Sequence, residues 1–276
     1  MPETSINAPT APTPDVAIDP AVQTTLEPPS HMRIVRCGTV RPTQFLVLGE
    51  RSSGTNLLTA TIRRTFKLSP YRGGIWKHGF PAFPALPEDC LIIGVTRRAD
   101  AWARSMFARP WHATGRLRRL GFSEFLRARW DTVVDNRFMH KAYVDTPLMR
   151  QALQFDRHPI TGQPFANLFR LRTAKLQGLV GLQNREINVA IAPLETILAD
   201  PAHYLTSLAG AFDLPFPADP RLPDKRMGGA DSWARRKVEA PAKLSAEDHA
   251  FMIGELDLEL EAALGYTYAS PELSSC

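Results

Sequence analysis

The chain has 276 residues, of which 44% are hydrophobic, and it carries 33 Lys and Arg against 28 Asp and Glu. This length and apolar content suit one large α/β domain with a sizeable core. The net charge of +5 suits a polyanionic ligand but is too small to indicate nucleic-acid binding. Three cysteines without close spacing, Cys37, Cys90 and Cys276, favour neither a disulfide framework nor a zinc site, so we expect a reducing compartment and no metal.

The N-terminal region differs in composition from the rest of the chain. Residues 1–30 are rich in Pro, Thr, Ala and Asp and lack apolar periodicity, which predicts a disordered tail before a single α/β domain over 31–276. The tail lacks the basic-then-apolar order of a secretion signal, and no stretch approaches the roughly 18 apolar residues of a membrane span. We therefore expect a soluble, cytoplasmic protein.

Apolar runs and helical periodicities alternate along this domain. In chain order, the patterns predict a strand at 45–48, a helix ending near Lys67, a strand at 90–96, a helix from Asp100, a strand at 187–192 and a helix near 201–212. Residues 113–185 are predicted to be mostly helical, with a turn at 158–162. The alternation predicts an α/β fold with a central parallel sheet and helices on both faces.

The first strand runs into a short hydroxyl-rich turn followed by a helix. Backbone N–H groups at a helix N-terminus favour an anion, and Gly54 lets the anion approach closely. The turn lacks the lysine of the ATP-binding sequence G-x-x-x-x-G-K-[ST], because Thr55 follows Gly54. We therefore predict a nucleotide-phosphate site that does not imply ATP, formed by Ser52, Ser53, Gly54, Thr55 and Asn56.

Adjacent basic residues, Lys77 and His78, lie between glycine-rich turns after the first predicted helix. An imidazole can take a proton from a hydroxyl near neutral pH, and an ammonium can stabilise charge on a group that is being transferred. A plain surface loop would carry the same residues, so the pair alone does not establish a catalytic site.

Two further segments carry phosphate-binding chemistry. Arg97 ends the second predicted strand and Ser105 lies on the following helix, where a guanidinium and a hydroxyl can reach one anion. Late in the chain, Arg226 and Gly228 belong to a glycine-rich basic loop that can wrap a nucleotide, although an ordinary loop would look similar.

The order of these motifs resembles that of the PAPS-dependent sulfotransferases, in particular their bacterial-type soluble members. PAPS is 3′-phosphoadenosine 5′-phosphosulfate. The run Ser53-Gly54-Thr55-Asn56 is similar to the end of the family's Pro-Lys-Ser-Gly-Thr-Thr turn, and Lys77-His78 is similar to its Lys-x-His motif, shortened by one residue. Arg97 and Ser105 have the family's spacing of eight positions. The resemblance implies a three-layer P-loop fold.

The resemblance also implies roles for these residues. The 53–56 turn would hold the 5′-phosphosulfate, while Arg97, Ser105 and the Arg226–Gly228 loop would hold the 3′-phosphate. His78 would be the general base, and Lys77 or Arg51 would stabilise the bridging oxygen. Because Ser52 stands where the family has lysine, Arg51, one position earlier, is expected to supply that charge.

The implied reaction is sulfuryl transfer from PAPS to a hydroxyl or amine of a small molecule, saccharide or lipid, with adenosine 3′,5′-bisphosphate as product. No metal, nucleic acid or membrane span is implied. Two other functions stay open at this point. One is a nucleotide-dependent kinase or NTPase that uses the same phosphate turn, and the other is a catalytically silent nucleotide-binding protein of the same fold.

Overall fold

A computed structural model of the chain describes residues 30–73, 75–135, 146–216, 220, 222–223 and 239–268. The predicted disordered tail at 1–30 therefore lies, except for Ser30, outside the described residues. Arg226 and Gly228 of the predicted late loop also lie outside them.

The described residues form an α/β fold. The strands are β1 (Arg33–Val35), β2 (Gln44–Gly49), β3 (Ser69–Pro70), β4 (Cys90–Thr96) and β5 (Asn188–Pro193). The helices are α1 (Thr55–Phe66), α2 (Ala99–Ala108), α3 (Gly115–Arg119), α4 (Phe122–Arg127), α5 (Leu168–Val180), α6 (Leu194–Ala199), α7 (Pro201–Ala211), α8 (Ala246–Glu255) and α9 (Leu258–Ala263). Short 3₁₀ turns cover Gln154–Asp156 and Gly181–Asn184.

The five strands form one sheet in the order β1-β5-β4-β2-β3. Strands β2 to β5 pair in parallel, whereas β1 pairs antiparallel with β5 through Ile34 and Ala190. The sheet is therefore mixed, and the prediction of a parallel sheet is wrong for this edge. Because β1 runs in the opposite direction, it ends at the edge where β2 begins, and residues 36–43 link them without a crossover helix.

Helices pack against both faces of the sheet. Alternate side chains of β2 point to opposite faces, with Phe45 and Val47 on one side and Leu46 and Leu48 on the other. The first face packs against α1, α6 and α7, and the second packs against α5 and the segment after α9 that contains Tyr266. A further apolar cluster joins α2, α3, α4, α5 and α8. This packing agrees with the predicted class, helices against a central sheet.

The region 113–185 is less helical than predicted. Helices occupy its two ends, but residues 128–135 and 146–167 contain only isolated β-bridges and one 3₁₀ turn within the described part of the chain. This stretch contains helix-disfavouring residues, among them Pro147, Pro159 and Pro164. The turn at 158–162 is present, since Gly162 N–H donates to the His158 carbonyl at 2.8 Å.

Candidate functional site

The turn between β2 and α1 lies at the carboxyl edge of the sheet and is held by its own hydrogen bonds. The Ser53 hydroxyl donates to the Glu50 carbonyl at 2.6 Å, and the Ser53 N–H donates to the same oxygen at 3.3 Å. Ser52 and Gly54 both have positive φ angles, 63° and 99°. A Cβ on Gly54 would lie 2.7 Å from a methyl group of Leu194, so only glycine fits there without a shift.

The first turn of α1 keeps its backbone donors available. Gly54 is the N-cap, and among the described residues no side chain caps this helix. The first amide that bonds within the helix is that of Leu58, which donates to the Gly54 carbonyl at 3.1 Å. Most other helices have side-chain caps, provided by Thr114, Asn167, Asp200, Ser245 and Asp257. The open end of α1 is therefore suited to bind an anion.

His78 is fixed against the end of β2. Gly49 N–H donates to the Lys77 carbonyl at 3.0 Å, and the Gly49 carbonyl lies 2.8 Å from His78 Nδ1. Because a carbonyl only accepts, Nδ1 carries the proton, which leaves the lone pair of the neutral ring on Nε2. Burial, and then the nearby charge of Lys77, lower the pKa of His78 well below its usual value. The ring is therefore neutral at pH 7, as a general base requires.

Lys77 brings a cation to the open end of α1. Its Nζ donates to Oδ1 of Asn56, the second residue of the helix. The side chain is half-buried, and this burial lowers the pKa of its ammonium group. Lys77 and His78 therefore lie beside the same turn although the sequence separates them from it by more than twenty positions.

Arg97 also reaches this turn, from the end of β4. Its guanidinium Nη1 donates to the Ser52 carbonyl at 3.0 Å. Ser105 is half-buried on α2, where its carbonyl accepts from Arg109 N–H at 3.1 Å, and no described contact joins its side chain to the turn. The structure thus brings Arg97 to the turn.

Arg51 is buried beside Asp156 and two tryptophan rings. Its guanidinium forms an ion pair with Asp156 at 2.6 Å, and the side chain is only 3% exposed. The guanidinium carbon lies 5.5 Å from the ring centroids of both Trp76 and Trp130. The guanidinium of Arg51 is therefore engaged in a buried ion pair, whereas Lys77 contacts Asn56 at the helix N-terminus.

A buried ionic network lies behind the turn, and sequence reasoning did not identify it. Asp156 accepts from Arg51 and from Lys175 Nζ, the latter at 2.5 Å, and Lys175 also donates to the His78 carbonyl at 2.6 Å. Burial opposes ionisation of Asp156, but Arg51 and Lys175 outweigh it and hold the pKa of this carboxyl well below its usual value. The network therefore connects the turn to the His78 segment.

A second part of this network centres on Arg172. It donates to Glu50 at 2.7 Å and to both oxygens of Glu261, at 2.6 and 2.9 Å. The sequence carried one usable signal for it: Arg172 and Lys175 lie three residues apart on the apolar, buried face of α5. Cations on such a face need buried acidic partners. No local sequence pattern indicated that these partners would be Glu50, Asp156 and Glu261.

Comparisons with known proteins add no family assignment. A scan with protein-family models, a search of curated proteins and a search of solved structures each found no match. Within the described part of the chain, none of the helices combines the length and apolar character needed to span a membrane.

Proposed function

We propose that this protein is a sulfotransferase that moves a sulfuryl group from PAPS to a hydroxyl or amine of a small molecule, saccharide or lipid. The observation that carries the proposal is the meeting of three separate segments at one turn. The uncapped N-terminus of α1, the Lys77-His78 pair and the Arg97 guanidinium all lie around residues 49–56. The proposed fold is a three-layer P-loop fold, of which the mixed sheet and its two helical layers form the core.

The proposed donor site uses backbone amides and two cations. The amides of the first turn of α1, with the hydroxyl of Thr55 and the side-chain amide of Asn56, would hold the 5′-phosphosulfate, while Ser53 would hold the turn in shape. Arg97 would hold the 3′-phosphate, with Ser105 and the Arg226–Gly228 loop completing that subsite. These last residues keep the roles that the family resemblance implies.

The proposed chemistry assigns one step to each of two neighbouring residues. His78 Nε2 takes the proton of the acceptor hydroxyl while the hydroxyl oxygen forms its bond to sulfur and the sulfur–oxygen bond to the phosphate breaks. Lys77 stabilises the negative charge that develops on the departing phosphate oxygen. Positioning and charge stabilisation therefore account for most of the catalysis, as in phosphoryl transfer. Arg51 acts indirectly, by fixing the turn through Asp156.

Thermal unfolding in the presence of candidate nucleotides tests the binding part of the proposal. PAPS and adenosine 3′,5′-bisphosphate should raise the melting temperature with concentration, because a ligand at about 100 times its Kd adds about 2.7 kcal/mol to stability. ATP and GTP serve as the matched comparison. Stabilisation by ATP alone would support the kinase or NTPase function and reject the sulfotransferase.

The catalytic part is tested with His78→Ala. Turnover should fall about 100-fold or more, while binding of adenosine 3′,5′-bisphosphate stays nearly unchanged, because the imidazole acts on the acceptor proton and not on the nucleotide. His249→Ala on α8 is the control and should retain turnover. Nucleotide binding without any transfer by the wild-type protein would identify it as a catalytically silent binding protein.

A further inference from the structure

A small cavity lies directly behind His78, between the end of β2 and helix α5. It is lined by Gly49, Glu50, His78, Gly79 and Lys175 together with apolar side chains, and it is about the size that one water molecule needs. Glu50 is the acidic residue of this lining. The proposed reaction assigns no step to Glu50, although it directly precedes Arg51 in the phosphate turn.

The two carboxylate oxygens of Glu50 have different surroundings. Oε2 accepts from Arg172 at 2.7 Å, whereas Oε1 is buried and has no hydrogen-bond partner among the described residues. Arg172 is shared, since its other nitrogens bind Glu261. A buried carboxylate with one unsatisfied oxygen is costly to ionise. Burial therefore raises the pKa of Glu50 to about 7, although Arg172, Lys175 and Arg51 all act in the opposite direction.

The charges around His78 are mainly positive. Lys77, Arg51 and Lys175 each disfavour a proton on its ring, in addition to the effect of burial. Asp156 is already shared between Arg51 and Lys175. When His78 takes a proton from an acceptor, the new imidazolium therefore needs an anion nearby, and Glu50 lines the same cavity.

We propose that Glu50 is a positioning residue for the reaction: its carboxylate, held behind His78 across the shared cavity, stabilises the imidazolium that forms when His78 takes the acceptor's proton. The proton moves from the acceptor oxygen to Nε2, the other ring proton stays on Nδ1 and is donated to the Gly49 carbonyl, and Glu50 itself takes no proton. The catalytic meaning of this coupling rests on the proposed function, whereas a charge coupling between Glu50 and His78 can be measured without any nucleotide.

The coupling predicts an unusual pH dependence. Glu50 is ionised above about pH 7 and neutral below it, whereas His78 stays neutral to a lower pH. As the pH falls through 7, His78 therefore loses its supporting negative charge before it is itself protonated. We expect the acid limb of the kcat/KM profile near pH 7, set by Glu50 and not by His78.

Titration of the nucleotide-free protein, labelled with ¹⁵N-histidine, tests the coupling. The His78 ring resonances should show a small step near pH 7, from Glu50, and a larger step at lower pH, from protonation of the ring. Glu50→Gln should abolish the first step. Glu261→Gln is the matched control, because it changes the same charge beside Arg172 but does not line the cavity.

In the Glu261→Gln variant the first step should persist at a lower pH, because Glu261 raises the pKa of Glu50. A wild-type titration without a step near pH 7 would overturn the coupling, whatever the stability of the variants. Persistence of that step in folded Glu50→Gln would also overturn it.

A pH–rate series then tests the role in catalysis, by following release of adenosine 3′,5′-bisphosphate from PAPS with a panel of phenol, alcohol and sugar acceptors. At pH 8, Glu50→Gln should lower kcat about 10-fold with little change in KM for PAPS, and its acid limb should move below pH 7. An unchanged kcat and limb would reject the role of Glu50. The step in the wild-type titration without any PAPS turnover would instead leave the coupling intact and reject the proposed sulfotransferase.

Discussion

Two strand-to-helix turns lie side by side at the carboxyl edge of the sheet, and they differ in what satisfies the first amides of the helix. At the β2–α1 turn, Gly54 is the N-cap residue, and no described side chain caps helix α1. At the β4–α2 turn, the Arg98 N–H donates to Glu195 at 3.0 Å and the Ala99 N–H donates to the Tyr268 hydroxyl at 3.1 Å. The β2–α1 turn, here called the open turn, therefore leaves the first amides of its helix available to an anion. The β4–α2 turn, here called the closed turn, uses such amides for hydrogen bonds within the protein.

One residue of the closed turn also donates a hydrogen bond to the open turn. Arg98, at the start of α2, lies over the Tyr268 ring at 4.6 Å and donates to the Thr267 carbonyl at 2.8 Å, so the C-terminal segment occupies this helix end. Arg97, its neighbour in sequence, instead points to the Ser52 carbonyl of the open turn. The comparison indicates that an anion site depends on which donors the fold leaves unused, more than on the strand-turn-helix pattern itself.

Among the variants that test this contrast, Gly54→Ala should cause the largest loss of nucleotide affinity. The added Cβ meets Leu194 at a position whose φ angle of 99° already disfavours any side chain, so the turn must shift. We expect affinity for adenosine 3′,5′-bisphosphate to fall about 100-fold or more, measured by calorimetry, together with a loss of stability of about 1–3 kcal/mol.

The matched control is Gly162→Ala. Gly162 also has a positive φ angle, 68°, but a Cβ there meets no atom within 4 Å. This variant should lose some stability from the same backbone strain and keep its nucleotide affinity. Equal losses of affinity in the two variants would show that general destabilisation, and not the open turn, explains the first result.

Lys77→Met should have a smaller effect at the open turn. It keeps much of the apolar side chain but removes the charge beside Asn56, so we expect bisphosphate binding to weaken about 10-fold and to become less sensitive to salt. Lys67→Met, at the opposite end of α1, is the control. If the two variants bind with the same affinity, Lys77 is not the cation of the site.

Arg97→Ala tests the residue that links the two turns. Binding of adenosine 3′,5′-bisphosphate should weaken about 10-fold, while binding of adenosine 5′-phosphate should change much less, because the guanidinium is assigned to the 3′-phosphate. The two affinities are measured by the same calorimetric titration. Equal losses for both nucleotides would reject this assignment and would indicate that Arg97 only supports the Ser52 carbonyl.

Tyr268→Phe should have the smallest effect on nucleotide binding. It removes the hydroxyl that accepts from Ala99 N–H and donates to Glu261 at 2.8 Å. We expect a loss of about 1 kcal/mol in the free energy of unfolding, measured with urea, and no change in bisphosphate affinity. A large loss of affinity would mean that the two turns are not independent.

Local sequence patterns predicted much of the fold. The strand predicted at 45–48 is β2, the predicted 90–96 strand has the bounds of β4, and helices follow both as expected. These predictions succeed because apolar periodicity reflects burial within a single element. They fail for residues 128–135 and 146–167, where proline and β-branched residues disfavour the predicted helices, and they miss β1, an edge strand that pairs antiparallel with β5.

The sequence by itself determined the strand-turn-helix unit around Gly54 and the chemical types of the candidate residues, because both are properties of neighbouring positions. Only the tertiary structure decided which cationic side chains reach the turn and which helix N-terminus stays open to an anion. Arg51 turns toward Asp156, 105 positions away, and Tyr268 caps an amide 169 positions away. Ion pairs and caps over such separations depend on how elements pack together, since burial makes each unpartnered polar group costly wherever its partner lies in the chain.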